Sequence, residues 1–318
     1  MNRGLCMAAL LAVPVPALAQ QTADTSFDAS VATPAHPPGP GPIVAIDEAH
    51  HNFHTMTGRY EPFARLMAAD GYRVVANTEP FTRESLSSFQ VLVIANAIGG
   101  EWDAGAYARP GFTEPEADAV LAWVQGGGRL LLIADHAPMG VAAEVLAQRF
   151  GVGMSKGFTE DRENSFRGFG GPSILLFSRQ NGLLRDHPIT RGLDSVVAFT
   201  GQSLTAPGAE VLLALGDSAV DHPSPTPEQA AAQPNPGTAW RTAVAGLPVH
   251  PARGRALGLA LVVGQGRVVV LGEAGMLSAQ VVRGAAGETL GIMGMNVPGI
   301  GNKGFVLNVM RWLTGVLR

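Results

Sequence analysis

Four apolar runs in this chain of 318 residues each end on side chains that can move a proton or hydrogen-bond a ligand. The run IVAI is followed by Asp47-Glu48-Ala49-His50-His51-Asn52-Phe53-His54, and VLVIA by Asn96. LLLIA is followed by Asp135-His136, and VVVLG by Glu273. An imidazole exchanges protons near neutral pH, and a neighbouring carboxylate can orient it. Asp135, His136, Glu273 and His50 are therefore the candidate catalytic groups. Glu48, Asn52, Asn96, Gln202 and Trp102 are candidate substrate contacts. Asp47, His50 and His54 supply N and O donors suited to a divalent cation such as Zn or Ca, and a helix starting after Asp47 would put both histidines on one face. The alternative for the same residues is structural: Asp47 caps a helix and the histidines bond backbone groups.

These residues converge only if the apolar runs are strands of one parallel sheet. Each run is continuous rather than alternating, as strands covered on both faces require. Amphipathic stretches at Tyr60–Ala69, Glu114–Gln125 and Val141–Phe150 lie between them. The second opens on Thr113-x-x-Glu116, a capping box, and ends at three glycines. The expected fold is α/β: a doubly wound, mostly parallel sheet with helices on both faces, whose ligands bind beyond the carboxyl ends of the strands. In the C-terminal half, a β-hairpin over 255–271 turns at Gly264-Gln265-Gly266, a loop-rich insertion spans about 217–239, and Phe305 to Leu317 carries apolar residues at helical spacing. One domain over 43–318 is expected, preceded by a polar, Pro/Gly-rich linker over 20–42.

Residues 1–19 combine Arg3, an apolar stretch from Leu5 to Val13 and the small-residue site Ala17-Leu18-Ala19, the pattern of a signal peptide. Cleavage there predicts a periplasmic or secreted protein with no membrane span after signal removal. The single cysteine, Cys6, would leave with the signal, which excludes a disulfide framework and a Cys-rich metal site in the mature chain. A net charge of −4 without a basic block argues against nucleic acid. IVAIDEAH imitates the acidic strand of an ATPase, but no GxxxxGK[ST] loop exists to hold phosphates, and no dinucleotide fingerprint calls for a nicotinamide cofactor. No GxSxG elbow is present, although Ser203 and Ser278 remain candidate nucleophiles. Trp102, Phe112, Phe166 and Phe169 lie in Gly-rich connections that could form an aromatic rim.

In IDEAHHNFHT, LVIANA, LLLIADHAPM, FTGQS, GEAGMLSAQ and NKGFVLNVMRWLTG the chain resembles a secreted bacterial family with the class I glutamine amidotransferase-like, flavodoxin-like fold. The resemblance runs from about Pro42 to Leu317. It implies the fold rather than an activity. RLLLIADHAPMGVAAEVLAQRFGV resembles the strand–nucleophile–helix segment of true amidotransferases, whose cysteine stands where this chain has Asp135-His136. Thiol-based amide transfer is thereby excluded. The expected function is an exported hydrolase using activated water on a small ester, lactone, amide or glycosidic bond, with a small-molecule or envelope-derived substrate. The alternative is a non-catalytic carbohydrate- or peptide-binding module on the same fold.

Overall fold

Runs of Val, Leu and Ile too apolar to face water dictate the centre of the molecule, and the turns between them set its order. The computed structural model describes residues 20–37, 39, 41–167 and 170–318. The expected signal, with Cys6, and Phe169 lie outside the described residues. The strands that matter for the site are β1 (Gln20–Ala23), β2 (Ile43–Asp47), β3 (Arg73–Asn77), β4 (Val91–Ala95), β5 (Arg129–Ile133), β6 (Ala256–Val263), β7 (Gly266–Leu271), β8 (Ala279–Arg283) and β9 (Thr289–Gly294). The helices are α1 (Glu61–Ala69), α2 (Glu114–Gln125), α3 (Met139–Arg149) and α4 (Asn302–Leu313).

The chain is a mixed α/β protein built on a nine-stranded mixed sheet. Strands β3, β2, β4, β5 and β7 lie side by side in that order, all parallel. β6 follows antiparallel to β7, and short strands at Leu204–Thr205 and Gly153–Met154 extend that edge. Alternate residues along each parallel strand enter two different hydrophobic clusters. Val44, Ile46, Val93, Leu131 and Val269 pack with Phe63 and Leu66 of α1 and Phe305 and Val309 of α4. Ala45, Leu92, Leu130, Leu132 and Val268 pack with Val120 of α2 and Leu146 of α3.

Three sequence expectations change in the structure. The hairpin over 255–271 forms, but its second strand is no decoration. β7 pairs in parallel with β5, Arg267 opposite Arg129 and Leu271 opposite Ile133, and so delivers Glu273 to the same edge as Asp135. The segment after residue 19 is docked rather than a free linker. β1 pairs antiparallel with β8, Phe27 and Ala29 are buried, and the Arg65 guanidinium donates to the carbonyls of Thr25 and Phe27. The insertion near 217–239 carries a strand at Val220–His222, paired with Phe158–Glu160, and a short helix at Pro227–Ala231.

The capping box opening α2 forms: Thr113 Oγ1 accepts from the Glu116 N–H and Glu116 Oε2 accepts from the Thr113 N–H. Its second oxygen has another task. Glu116 Oε1 lies 2.9 Å from His50 Nε2, while His50 Nδ1 lies 2.8 Å from Asp47 Oδ2. A histidine held by a carboxylate at each nitrogen ties the end of β2 to the start of α2. Burial works against its charge, but the hydrogen bond and charge of Asp47, followed by those of Glu116, prevail and raise its pKa above 6.5. Burial also opposes ionisation of Glu116, but His50 and Thr113 outweigh it and bring its pKa down to about 2.

A raised folded-state pKa stabilises the fold fully below the unfolded value and loses that contribution as pH climbs through the folded value. His50→Leu should therefore cost about 3–5 kcal/mol near pH 6, the range for breaking a buried ion pair. The gap from the parent protein should narrow by pH 9, read from urea unfolding at both pH values. A gap that widens with pH would show that His50 is held neutral.

Candidate functional site

The carboxyl ends of β2, β4, β5 and β7 surround a small polar cavity. It offers about 60 Å³ to water-sized molecules, room for a few waters or one small polar group. Of the sequence candidates, His54, Asn96, Trp102, Asp135, His136 and Glu273 border it.

Asn96 sets the geometry. It follows β4 with φ of 56°, a left-handed conformation that asparagine tolerates better than most residues. Its Oδ1 accepts the Asp135 backbone N–H at 2.9 Å, which leaves the amide nitrogen facing His54 Nδ1 at 3.1 Å. An amide nitrogen only donates, so Nδ1 accepts and the His54 proton sits on Nε2. That Nε2 is buried and without a hydrogen-bond partner among the described residues. Burial, reinforced by the charges of Arg59 and His136, lowers the His54 pKa to about 3. His54 is thus neutral at neutral pH, a buried N–H donor in the wall of the cavity.

His136 has the opposite tautomer. Its Nδ1 lies 2.8 Å from the Ala137 carbonyl, which only accepts, so the neutral ring carries its proton there and presents the lone pair on Nε2. Trp240 stacks on the ring with centroids 3.9 Å apart. The preceding carboxyl turns inward: Asp135 Oδ1 accepts the His136 N–H at 2.7 Å, and Oδ2 faces the Ala274 N–H at 3.5 Å.

Glu273 meets Asp135 from β7. Its oxygens accept the N–H groups of Gly275 and Met276. Burial pushes both carboxyls up; for Glu273 the charge of Asp135 pushes further in the same direction, while His136 and the backbone donors restrain Asp135. Two like charges in one buried site titrate as a pair, and the second ionisation is the costly one. The pair therefore keeps a proton well above the usual carboxylate range. Tyr60, buried beneath the loop with its hydroxyl donating to the Ala274 carbonyl, is likewise pushed up by burial and by both acids.

Other candidates serve the scaffold. His50 has both nitrogens occupied by carboxylates, so it is a clamp and faces no ligand. Asp47 holds His50, and Glu48 Oε1 accepts the Met56 N–H at 2.8 Å. Asn52 Oδ1 accepts the His50 N–H at 3.1 Å. Asp47 and His50 bond each other while His54 bonds Asn96, so the three do not converge on one point, and no group of three His, Cys, Asp or Glu side chains suited to a metal ion occurs among the described residues. Gln202 is a brace: Nε2 donates to the carbonyls of Ala134 and Asp135, and Oε1 accepts the Lys156 N–H. Its segment touches the end of β7 so closely that a Cβ on Gly272 would meet the Gln202 carbonyl at 2.0 Å and one on Gly201 the Gly272 carbonyl at 2.2 Å, which explains why FTGQS and GEAG are glycine-bearing. Ser203 Oγ donates to Asp221, and Ser278 Oγ to the Arg59 carbonyl, so neither is placed as a nucleophile. Trp102 borders the cavity against Phe53, whereas Phe112 packs on His50 and Phe166 on the core.

Sequence reasoning missed Arg59, Gln21 and Gln280, which complete the cavity from α1's approach, β1 and β8. None follows an apolar run at the β2–β7 edge, so strand-end logic gives them no signal. Asn302 was also missed. It holds the Glu273 loop by donating to the Met276 carbonyl at 3.1 Å while pairing with Val197 on both sides.

No protein-family model matches the chain, and no curated relative does. Among solved structures it is similar to the mmIFT52 N-terminal domain at a TM-score of 0.56 and 16% identity, covering 86% of this chain and 97% of that one. A cytoplasmic protein from Salmonella typhimurium gives 0.45 at 14% identity over 87% and 99% of the two chains. A ThuA-like protein from Bacteroides uniformis gives 0.43 at 16% over 89% and 93%. The first likeness shows a shared fold and nothing of function.

The tautomer chain has a direct readout. Nitrogen-15 NMR of the histidines should find His54 as the neutral Nε2–H form down to about pH 4. Asn96→Ala should release that tautomer preference and cost about 2–4 kcal/mol, because it strands the buried Asp135 N–H and puts alanine at positive φ.

Proposed function

We propose that the protein is an exported hydrolase that uses activated water on a small carbonyl compound, an ester, lactone or amide, on an amidotransferase-like sheet whose thiol position is taken by Asp135-His136. The observation that carries this reading is the complementary state of three groups at one cavity: a bare imidazole nitrogen, a fixed N–H donor and a carboxyl pair that retains a proton. His136 Nε2 would take a proton from water as its oxygen attacks the carbonyl carbon. The negative charge forming on the carbonyl oxygen would be met by the His54 Nε2–H, a donor already desolvated and oriented before the substrate arrives. The protonated member of the Asp135–Glu273 pair would pass its proton to the departing oxygen or nitrogen as that bond breaks. The products are an acid and an alcohol or amine.

A glycosidic bond is a poorer fit, because its transition state develops positive charge at carbon and has no use for a neutral donor at a carbonyl oxygen. Export rests on the pattern of residues 1–19. No helix among the described residues is long and apolar enough to cross a membrane.

A screen of small esters, lactones and amides on the mature chain tests the proposal. His136→Gln should lower kcat by about 10²–10⁴ with the fold intact, the usual worth of a general base. Glu273→Gln should lower kcat and flatten the alkaline limb of the pH–rate profile, since it removes the acid of the pair. Turnover that survives His136→Gln would overturn the assignment. A ligand that binds the cavity and is recovered unchanged would favour the carbohydrate- or peptide-binding module instead.

A further inference from the structure

The cavity contains one group that the hydrolytic chemistry leaves unused. Arg59 borders it with its guanidinium carbon 3.9 Å from the centre of the Phe53 ring, so one planar face is covered and the edges with their N–H donors stay free. The guanidinium's sole hydrogen bond among the described residues is a long one, 3.5 Å from Nη1 to Gln21 Oε1, and it forms no ion pair among them. The nearby acids do not satisfy it: Asp135 and Glu273 spend their oxygens on backbone N–H groups. Burial lowers the Arg59 pKa to about 10, with the charge of Asp135 acting against the shift, so the side chain remains a cation at neutral pH. A half-buried guanidinium with donors unspent is costly unless an anion meets it.

We infer that the substrate bound here carries a carboxylate besides the bond that is cut, held edge-on by Arg59, and this assignment rests on and deepens the hydrolase reading above. Three features select that class. A planar guanidinium stacked on an aromatic ring presents two parallel N–H groups, which match the two oxygens of a carboxylate. The free volume is that of one small polar group, and among the described residues Arg59 is the only permanently charged cation bordering it, so a phosphate would leave much of its charge and several oxygens unmatched. The proton retained by the Asp135–Glu273 pair keeps those acids from presenting a double negative charge to an incoming anion. In the same cavity wall, the buried Gln280 Oε1 has no partner among the described residues and Gln21 reaches in from β1, so a hydroxyl or amine beside the carboxylate would also find an acceptor.

Calorimetric titration of the mature chain with propionate, propionamide and inorganic phosphate tests this without any need for turnover. Propionate should bind at least tenfold more tightly than propionamide. Arg59→Gln should abolish that preference, and Arg59→Lys, which keeps the charge and the stem, should retain it in weakened form. Circular dichroism of both variants reports folding. Equal binding of acid and amide, propionate binding untouched by Arg59→Gln, no binding of propionate, or Arg59-dependent binding of phosphate in its place would each overturn the proposal. Failure of the hydrolase reading stays distinguishable: propionate would still bind through Arg59 while His136→Gln changed no reaction.

Discussion

A single amide side chain fixes the polar edge of the sheet. Asn96 receives the Asp135 N–H on its oxygen and gives its own N–H to His54, while its backbone carbonyl accepts the Phe53 N–H at 2.9 Å and its backbone N–H reaches the Ile133 carbonyl at 3.0 Å. Three segments, the loop after β2, the turn after β4 and the end of β5, are thereby locked to one residue in a conformation few side chains accept. The direction of each bond is forced, because a backbone N–H can only donate and a carbonyl can only accept. From that constraint follow the His54 tautomer, its orphaned donor and its neutrality.

The carboxyl pair obeys a second constraint. Placing two acids together out of water is unfavourable, and the protein offsets it with the neighbouring His136 and with backbone N–H groups from the chain following each strand rather than with a bonded cation. Donors from Gly275, Met276, His136 and Ala274 hold the oxygens in place without neutralising them, so the proton is kept where a basic partner would have expelled it. Arg59 stands close enough to feel Asp135 but bonds to neither acid. The cavity thus separates three duties: a carboxyl pair that stores a proton, imidazoles fixed in opposite tautomers, and a cation left for an outside partner.

Much of this was legible in the sequence, because burial on both faces leaves a plain trace. Four continuous apolar runs located the central strands, and the residues after them identified Asn96, Asp135, His136 and Glu273 as neighbours. The Thr113–Glu116 capping box was equally readable, since its chemistry is local. What could not be read depends on distance. Nothing near Glu116 in sequence reveals that its other oxygen clamps His50, so a histidine resembling a ligand is a strut. Gln202 has the residue type of a substrate contact but spends every polar atom on the scaffold. Arg59 and Gln21 enter through the path of the chain before α1 and through the pairing of β1 with β8, neither of which an apolar run announces.

The insertion of β7 between β5 and β6 also bears on how the molecule comes together. β2 to β5 are linked by nearby crossovers, so that layer can form from contacts close in sequence. β7 reaches β5 only after the chain has closed a loop of more than a hundred residues, and the Ala274–Asp135 contact spans 139. Contacts of such high order form late and slowly. Until they form, the hydrogen-bonding edge of β5 is open, and an open apolar edge invites pairing with another chain. The step that closes this edge is the same one that brings Glu273 to Asp135. Completing the acid pair and covering the open edge of β5 are thus one structural event.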